Sequence, residues 1–177
     1  MCGSGTLLCE ALMHYCRIPA GYLRKRFGFQ SMPEFDSTAW QKIRKMENSR
    51  IRVLPRGMIG GSDVSGDAIS VARGNCDLLP SGRAIDLRTC DYQDLEGYGN
   101  VTIVTNPPYG LRLKRGEDLG VFMKEFGDFL KFRCAGSVAY VYFGKRDLMK
   151  RIGLRSSWKK PLKNGRLDGR LARYELY

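Results

Sequence analysis

The sequence predicts an α/β fold, three layers built on a mostly parallel sheet with an antiparallel hairpin at its C-terminal end. Two observations carry this prediction, the alternation of elements and a closing hairpin, and a loop near the start of the sequence adds a ligand-binding signal that is weak by itself. Short apolar runs bounded by turn residues alternate with segments of helical apolar spacing. A small-residue loop, Gly3-Ser4-Gly5, runs directly into an apolar helical segment, an arrangement that lets a ligand approach the backbone and meet unpaired N–H groups. The last stretch reads as two strands around Asn164-Gly165, a tight hairpin turn. With 177 residues and 43% hydrophobic content the chain is about one domain, 1–177, carrying an irregular and helical excursion at 17–57.

Taken in order, Leu7 to Cys16 reads as a first helix, with Cys9 and Cys16 near one face. Gly, Pro and aromatic punctuation makes 17–35 irregular, and Ser37 to Glu47 is helical, capped by Asp36 or Ser37, with Trp40, Ile43 and Met46 on the inner side. Met58 to Val64 is a short strand ending at an acid, followed by a helix through Asp67 to Leu79. Ala84 to Leu87 suggests a third strand, and Val101 to Val104 a buried one. Asp118 to Phe132 has helical spacing, Ser137 to Phe143 is a strand, and Lys145 to Arg151 a short helix. The hairpin arms are Leu154 to Leu162 and Arg166 to Tyr177.

Thirty Lys and Arg against eighteen Asp and Glu give a net charge of +12, which points to a polyanionic partner, because neutralising phosphates releases counterions. A basic but merely soluble surface is the bland alternative. The cations cluster at Arg24-Lys25-Arg26, Arg50-Ile51-Arg52, Arg112-Leu113-Lys114-Arg115, Lys145-Arg146 and Lys159-Lys160. Six cysteines without a C-x-x-C pair and a single histidine, His14, predict reduced thiols and no metal site. No apolar run nears the ~20 residues of a membrane span and no signal peptide is evident, so a cytoplasmic setting is expected.

Thr105-Asn106-Pro107-Pro108-Tyr109-Gly110 is the most specific stretch. Two consecutive prolines fix φ and donate no hydrogen bond, so the Asn106 carboxamide and Pro107 carbonyl can be held as two rigid acceptors. An exocyclic amine on a planar ring offers two N–H donors to such a pair, and accepting both turns its nitrogen lone pair outward. Pro108 stiffens the loop, and Tyr109 adds a flat face for the ring. The alternative is a rigid Pro-Pro turn and nothing more. Asp63, at the carboxyl end of a strand, fits the acid that holds ribose hydroxyls in nucleotide-binding sheets, or else caps the next helix. Asp91, in the loop Thr89-Cys90-Asp91-Tyr92, can accept from an adenine amine, or else is the Asp that any polar loop supplies.

Met1-Cys2-Gly3-Ser4-Gly5-Thr6, Gly61-Ser62-Asp63 with the run Ala68 to Asn75, and Asn106-Pro107-Pro108-Tyr109-Gly110-Leu111-Arg112-Leu113 resemble the RNA methylase family best known from bacterial large-subunit ribosomal RNA guanine-N2-methyltransferases. Smaller pieces extend the match: Pro19-Ala20-Gly21, Arg24, Phe27-Gly28-Phe29, Phe35-Asp36, Trp40, Asn164-Gly165, Leu167 and Tyr174. The resemblance implies a Rossmann-like methyltransferase fold with S-adenosylmethionine as cofactor. It places the cofactor against Cys2, Gly3, Ser4, Gly5, Thr6, Asp63, Val64, Asp91, Tyr92 and Asn106, and the target base against Asn106 to Tyr109. RNA would then run over Arg112, Lys114 and Arg115, just past the base-holding loop. Family members also carry an upstream THUMP region and a first strand ending in Asp-Pro, which this sequence lacks. That implies strands ending at Asp63 and Asn106 left about 9 to 10 Å apart, with unpaired ladder groups on both. Adenine-N6 methylation of DNA, glutamine-amide methylation of release factors, against which the basic charge argues, and a non-catalytic RNA-binding role are the rival functions.

Overall fold

The computed structural model describes residues 1–108, 118–165 and 167–177. They form two compact units, Cys2–Cys90 and Asp91–Tyr177, the latter with Met1.

In the N-terminal unit, helix α1 (Thr6–Cys16) buries Leu8, Leu12 and Cys16, an i, i+4, i+8 stripe. It stops at Arg17, whose left-handed φ of 57° turns the chain away. Residues 17–35 are irregular apart from a 3-10 turn at Gly28–Ser31. Helix α2 (Ser37–Asn48) starts where the Asp36 carboxylate accepts from the Thr38 and Ala39 N–H groups at 2.8 and 3.0 Å. The inward orientation expected for Ile43 and Met46 is not found. They are 48% and 47% exposed and α2 buries no residue; among its apolar side chains Trp40 packs on the rings of Phe27 and Phe29.

Strand β1 (Gly60–Asp63), helix α3 (Gly66–Asp77) and strand β2 (Asp86–Thr89) make a parallel two-stranded unit, with Gly60 opposite Asp86 and Asp63 opposite Thr89. β1 is shorter than expected: Met58 stands in a turn, its N–H on the Pro55 carbonyl. β2 begins two residues later than expected. Ala84 closes a 3-10 turn, Gly82–Ala84, and Ile85 drops into the core. Leu8, Leu12, Cys16, Leu54, Cys76 and Ile85 form that core.

The C-terminal unit holds four strands in the order β3-β4-β6-β5 (Thr102–Thr105, Val138–Phe143, Leu167–Glu175 and Trp158–Asn164). β3 and β4 are parallel, and β4–β6 and β6–β5 antiparallel. β4, paired on both sides, reads Val-Ala-Tyr-Val-Tyr-Phe, as a doubly covered strand should. β5 ends the sheet with Lys159, Lys160, Pro161 and Lys163 exposed, residues that blunt an edge against further pairing. Helix α4 (Leu119–Arg133), capped by Asp118, sets Met123, Phe126 and Leu130 against Ala139, Val141, Phe143 and Tyr174. Lys145 to Arg151 contains a 3-10 turn, Arg146–Lys150.

β3 is not the buried strand its composition suggests. It pairs only with β4 among the described strands, and Val101 and Val104 are 40% and 52% exposed while Thr105 is buried. β1 and β3 stand in separate sheets, and among the described residues neither has a strand on its second edge. On that edge of β1 the Cys2 N–H donates to the Ser62 carbonyl at 2.8 Å. No described helix is long and apolar enough to cross a membrane.

Candidate active site

The loop Cys2 to Thr6 is held from three directions. The Gly5 N–H bonds the Cys2 carbonyl at 3.0 Å, which closes the loop on itself. The Gly3 N–H donates to Asp63 Oδ2 at 2.9 Å, tying the loop to the end of β1. Asn75 Nδ2, from α3, donates to the Ser4 carbonyl at 2.9 Å. Gly5 has φ 79° and is buried, and a Cβ there would stand 3.0 Å from the Ala72 Cβ, so glycine is required by conformation and by the approach of α3.

Gly5 is also the N-cap of α1, and it offers no side chain to the helix. No acid occupies the first turn either. The leading N–H groups of α1 therefore face outward without a side-chain partner, and a carboxylate is the chemistry such a terminus favours. Ser4 and Thr6 place hydroxyls beside it, 3.3 Å apart. Burial pushes the Cys2 thiol upward, so Cys2 presents a neutral thiol and not a nucleophile.

Asp63 serves two backbones at once. While Oδ2 takes the Gly3 N–H, Oδ1 takes the Ser65 N–H at 3.0 Å, just before α3. An ionised carboxylate has about four acceptor positions, so roughly two stay available for hydroxyl donors. Val64, beside it, is 64% exposed.

The remaining described candidates lie in the C-terminal unit. Asp91 Oδ1 accepts from the Gln93 N–H at 3.0 Å and caps the 3-10 turn Tyr92–Asp94. Tyr92 is a core side chain whose ring meets Phe122, Phe126 and Phe129 edge-on at 5.8, 5.4 and 5.4 Å. Burial raises its phenol. At the end of β3 the Asn106 carboxamide is exposed with no described hydrogen-bond partner, Pro107 is buried and Pro108 half-buried. The preceding Thr105 Oγ1 is buried and unpartnered. Tyr109, Arg112, Lys114 and Arg115 lie outside the described residues.

The structure thus gathers Cys2 to Thr6, Asp63 and Val64 in one unit, and Asp91, Tyr92 and Asn106 to Pro108 in the other. Two contributors were not predicted, Asn75 and the Ser65 amide. An exposed Asn inside a helix, where a better helix former would serve, was the available signal for the first. The second had none.

A sequence model described as "RMKL-like, methyltransferase domain" matches residues 1–173. "Putative RNA methyltransferase slr0064" of Synechocystis is 36% identical over 178 residues, covering 100% of this chain and 46% of that protein. "Ribosomal RNA large subunit methyltransferase K/L" of Photobacterium profundum is 34% identical over 180 residues, covering 98% and 25%. The fold is that of the crystal structure of "SMU.472, a putative methyltransferase complexed with SAH", with a TM-score of 0.88 at 24% identity, covering 100% of this chain and 47% of the other. The chain spans about a quarter to a half of the length of these proteins. With nearly its whole length matched, the chain belongs to the RMKL-like methyltransferase-domain family.

Proposed function

We propose that this chain carries methyl transfer from S-adenosylmethionine to an exocyclic base amine of RNA, guanine N2 of large-subunit ribosomal RNA being the preferred target. The observation that carries the reading is the loop before α1, held by Asp63 with its first-turn N–H groups uncapped. The names of the relatives, a ribosomal RNA methyltransferase among them, favour RNA as substrate.

These residues fit the cofactor. The uncapped α1 terminus suits its carboxylate, and the acceptor positions left on Asp63 suit ribose hydroxyls. When bound, S-adenosylmethionine supplies an electrophilic methyl group on a sulfonium. Asp91 is the candidate for its adenine. Asn106 and the Pro107 carbonyl accept the two amine hydrogens, which withdraws the nitrogen lone pair from ring conjugation. Buried Pro107 holds those acceptors rigid, so little reorganisation is needed as charge develops. Since a stacked base hides its amine, the nucleotide must be turned out of its helix to reach them.

Calorimetric titration with S-adenosylhomocysteine tests the cofactor, and transfer of labelled methyl to ribosomal RNA or to DNA tests the acceptor. In an active version of the protein, Asn106→Ala is expected to keep cofactor binding and lose on the order of 10²-fold or more in rate. Absent cofactor binding would leave only an RNA-binding role, methylation of DNA adenine would replace the substrate, and unchanged turnover in Asn106→Ala would remove the amine-holding mechanism.

A further inference from the structure

The segment 17–57 has ten Lys and Arg against three Asp and Glu, a net +7 of the chain's +12. A solvated charged face ordinarily mixes signs and pairs them. Here the described residues of the segment form one ion pair, Arg50 with Glu47 at 2.8 Å. Lys25 and Arg44 are exposed and bond no described residue. The helix bearing Arg44 buries nothing, so its sequence is not explained by the core.

Aromatic rings lie among these cations. Phe27 and Phe29 stack with centroids 5.3 Å apart, and Trp40 meets both edge-on at 5.4 and 5.0 Å. The Arg24 guanidinium lies 5.4 Å from the Phe27 centroid. Phe29 keeps 40% of its surface open to solvent. A cleft of about 780 Å³ reaches from Ser4 and Thr6, at the loop before α1, to Arg24 and Phe27, with Glu10 as the one acid on its wall. Cations alone would suit any polyanion. Flat apolar rings set among unpaired cations suit unstacked bases on a phosphate backbone, a combination that an acidic protein does not offer.

We propose that Arg24, Lys25, Arg26, Phe29, Trp40 and Arg44 form a binding face for single-stranded RNA, bases against the rings and phosphates against the cations. This rests on the RNA reading above and adds a contact surface apart from the amine-holding loop.

The test is fluorescence anisotropy with a labelled single-stranded RNA of about 15 nucleotides, from low to moderate salt. Lys25→Glu/Arg44→Glu touches no described partner and is expected to fold as the parent does. It should weaken binding by at least about tenfold and flatten the slope of log affinity against log salt by about 1.4, two contacts at about 0.7 each. Phe29→Ala should weaken binding severalfold with the slope unchanged. Polyglutamate should compete poorly. If the parent binds this RNA and neither variant is weaker, the face is elsewhere and the RNA reading stands. Polyglutamate competing as well as RNA would make the surface an acidic-protein reader and overturn the proposal. If the parent binds no RNA at all, both the face and the RNA substrate fall, while S-adenosylhomocysteine binding still reports separately on the methyltransferase reading.

Discussion

Asp63 joins the loop before α1 to the start of α3 through single bonds to Gly3 and Ser65, so its carboxylate fixes geometry as well as offering acceptors. Asp63→Ala removes both bonds and leaves two N–H groups to find water. A charge-assisted bond contributes about 1.5–3 kcal/mol, and at a half-exposed site the lower end applies. S-adenosylhomocysteine affinity is therefore expected to fall at least about tenfold in Asp63→Ala. Asp63→Asn keeps one acceptor oxygen and should fall between. Paired thermal melts and titrations check this, and equal binding by parent and alanine variant would refute it. Much of this was legible: a strand followed by an acid singles out Asp63. Its bond to Gly3 was not, because the partners are separated by 60 residues and nothing local announces it.

Elements with strong local signals were placed within a residue or two. α4 has both a capping Asp118 and an apolar stripe, and it starts one residue inside the expected range. β2 was misplaced because Ala84 and Ile85 supply the apolar character of a strand while serving a turn and the core. Packing between elements was invisible, as Gly127 illustrates. A Cβ at this position in α4 would collide with the Ile152 carbonyl, so α4 approaches that backbone only because no side chain intervenes. Gly74 in α3 has nothing within 4 Å of its would-be Cβ. The same substitution should then act with opposite sign. Gly127→Ala should cost about 1–3 kcal/mol through overpacking, whereas Gly74→Ala should stabilise by about 0.5–1 kcal/mol through helix propensity. Urea unfolding midpoints decide both.

At the scale of the whole molecule, each unit has its own core, and each core hides weakly acidic groups whose protons burial holds on, Cys76 and Tyr174 being the most strongly shifted. In the N-terminal unit, burial first and then the bond with Cys9 push the Cys76 thiol from 9.0 to about 12. In the C-terminal unit, burial pushes the Tyr174 phenol from 10.0 to about 12. The unfolded chain gives up these protons at lower pH than the folded one, so the native state binds more protons across the interval between the two values. Stability present below pH 9 should be lost progressively toward about pH 12. Denaturant titrations from about pH 8 to about pH 11 should show it, and Tyr174→Phe should fall less steeply than the parent. An identical decline in Tyr174→Phe would remove the phenol from the account. The class of fold was readable from the alternation of elements. The division of its strands into two sheets depends on pairings between distant segments, which periodicity does not encode.

A helix with no buried residue, as α2 is, has its own thermodynamic life. An N-cap worth about 1 kcal/mol stabilises the helix itself, and the contacts of Trp40 with Phe27 and Phe29 join it to the unit. It can open locally, by far less than the free energy of global unfolding, while the apolar core beneath stays intact. Substitutions on its surface are correspondingly decoupled from the residues around Gly3 and Asp63. Mutation can then adjust what α2 grips, and how long it holds on, at almost no risk to the fold.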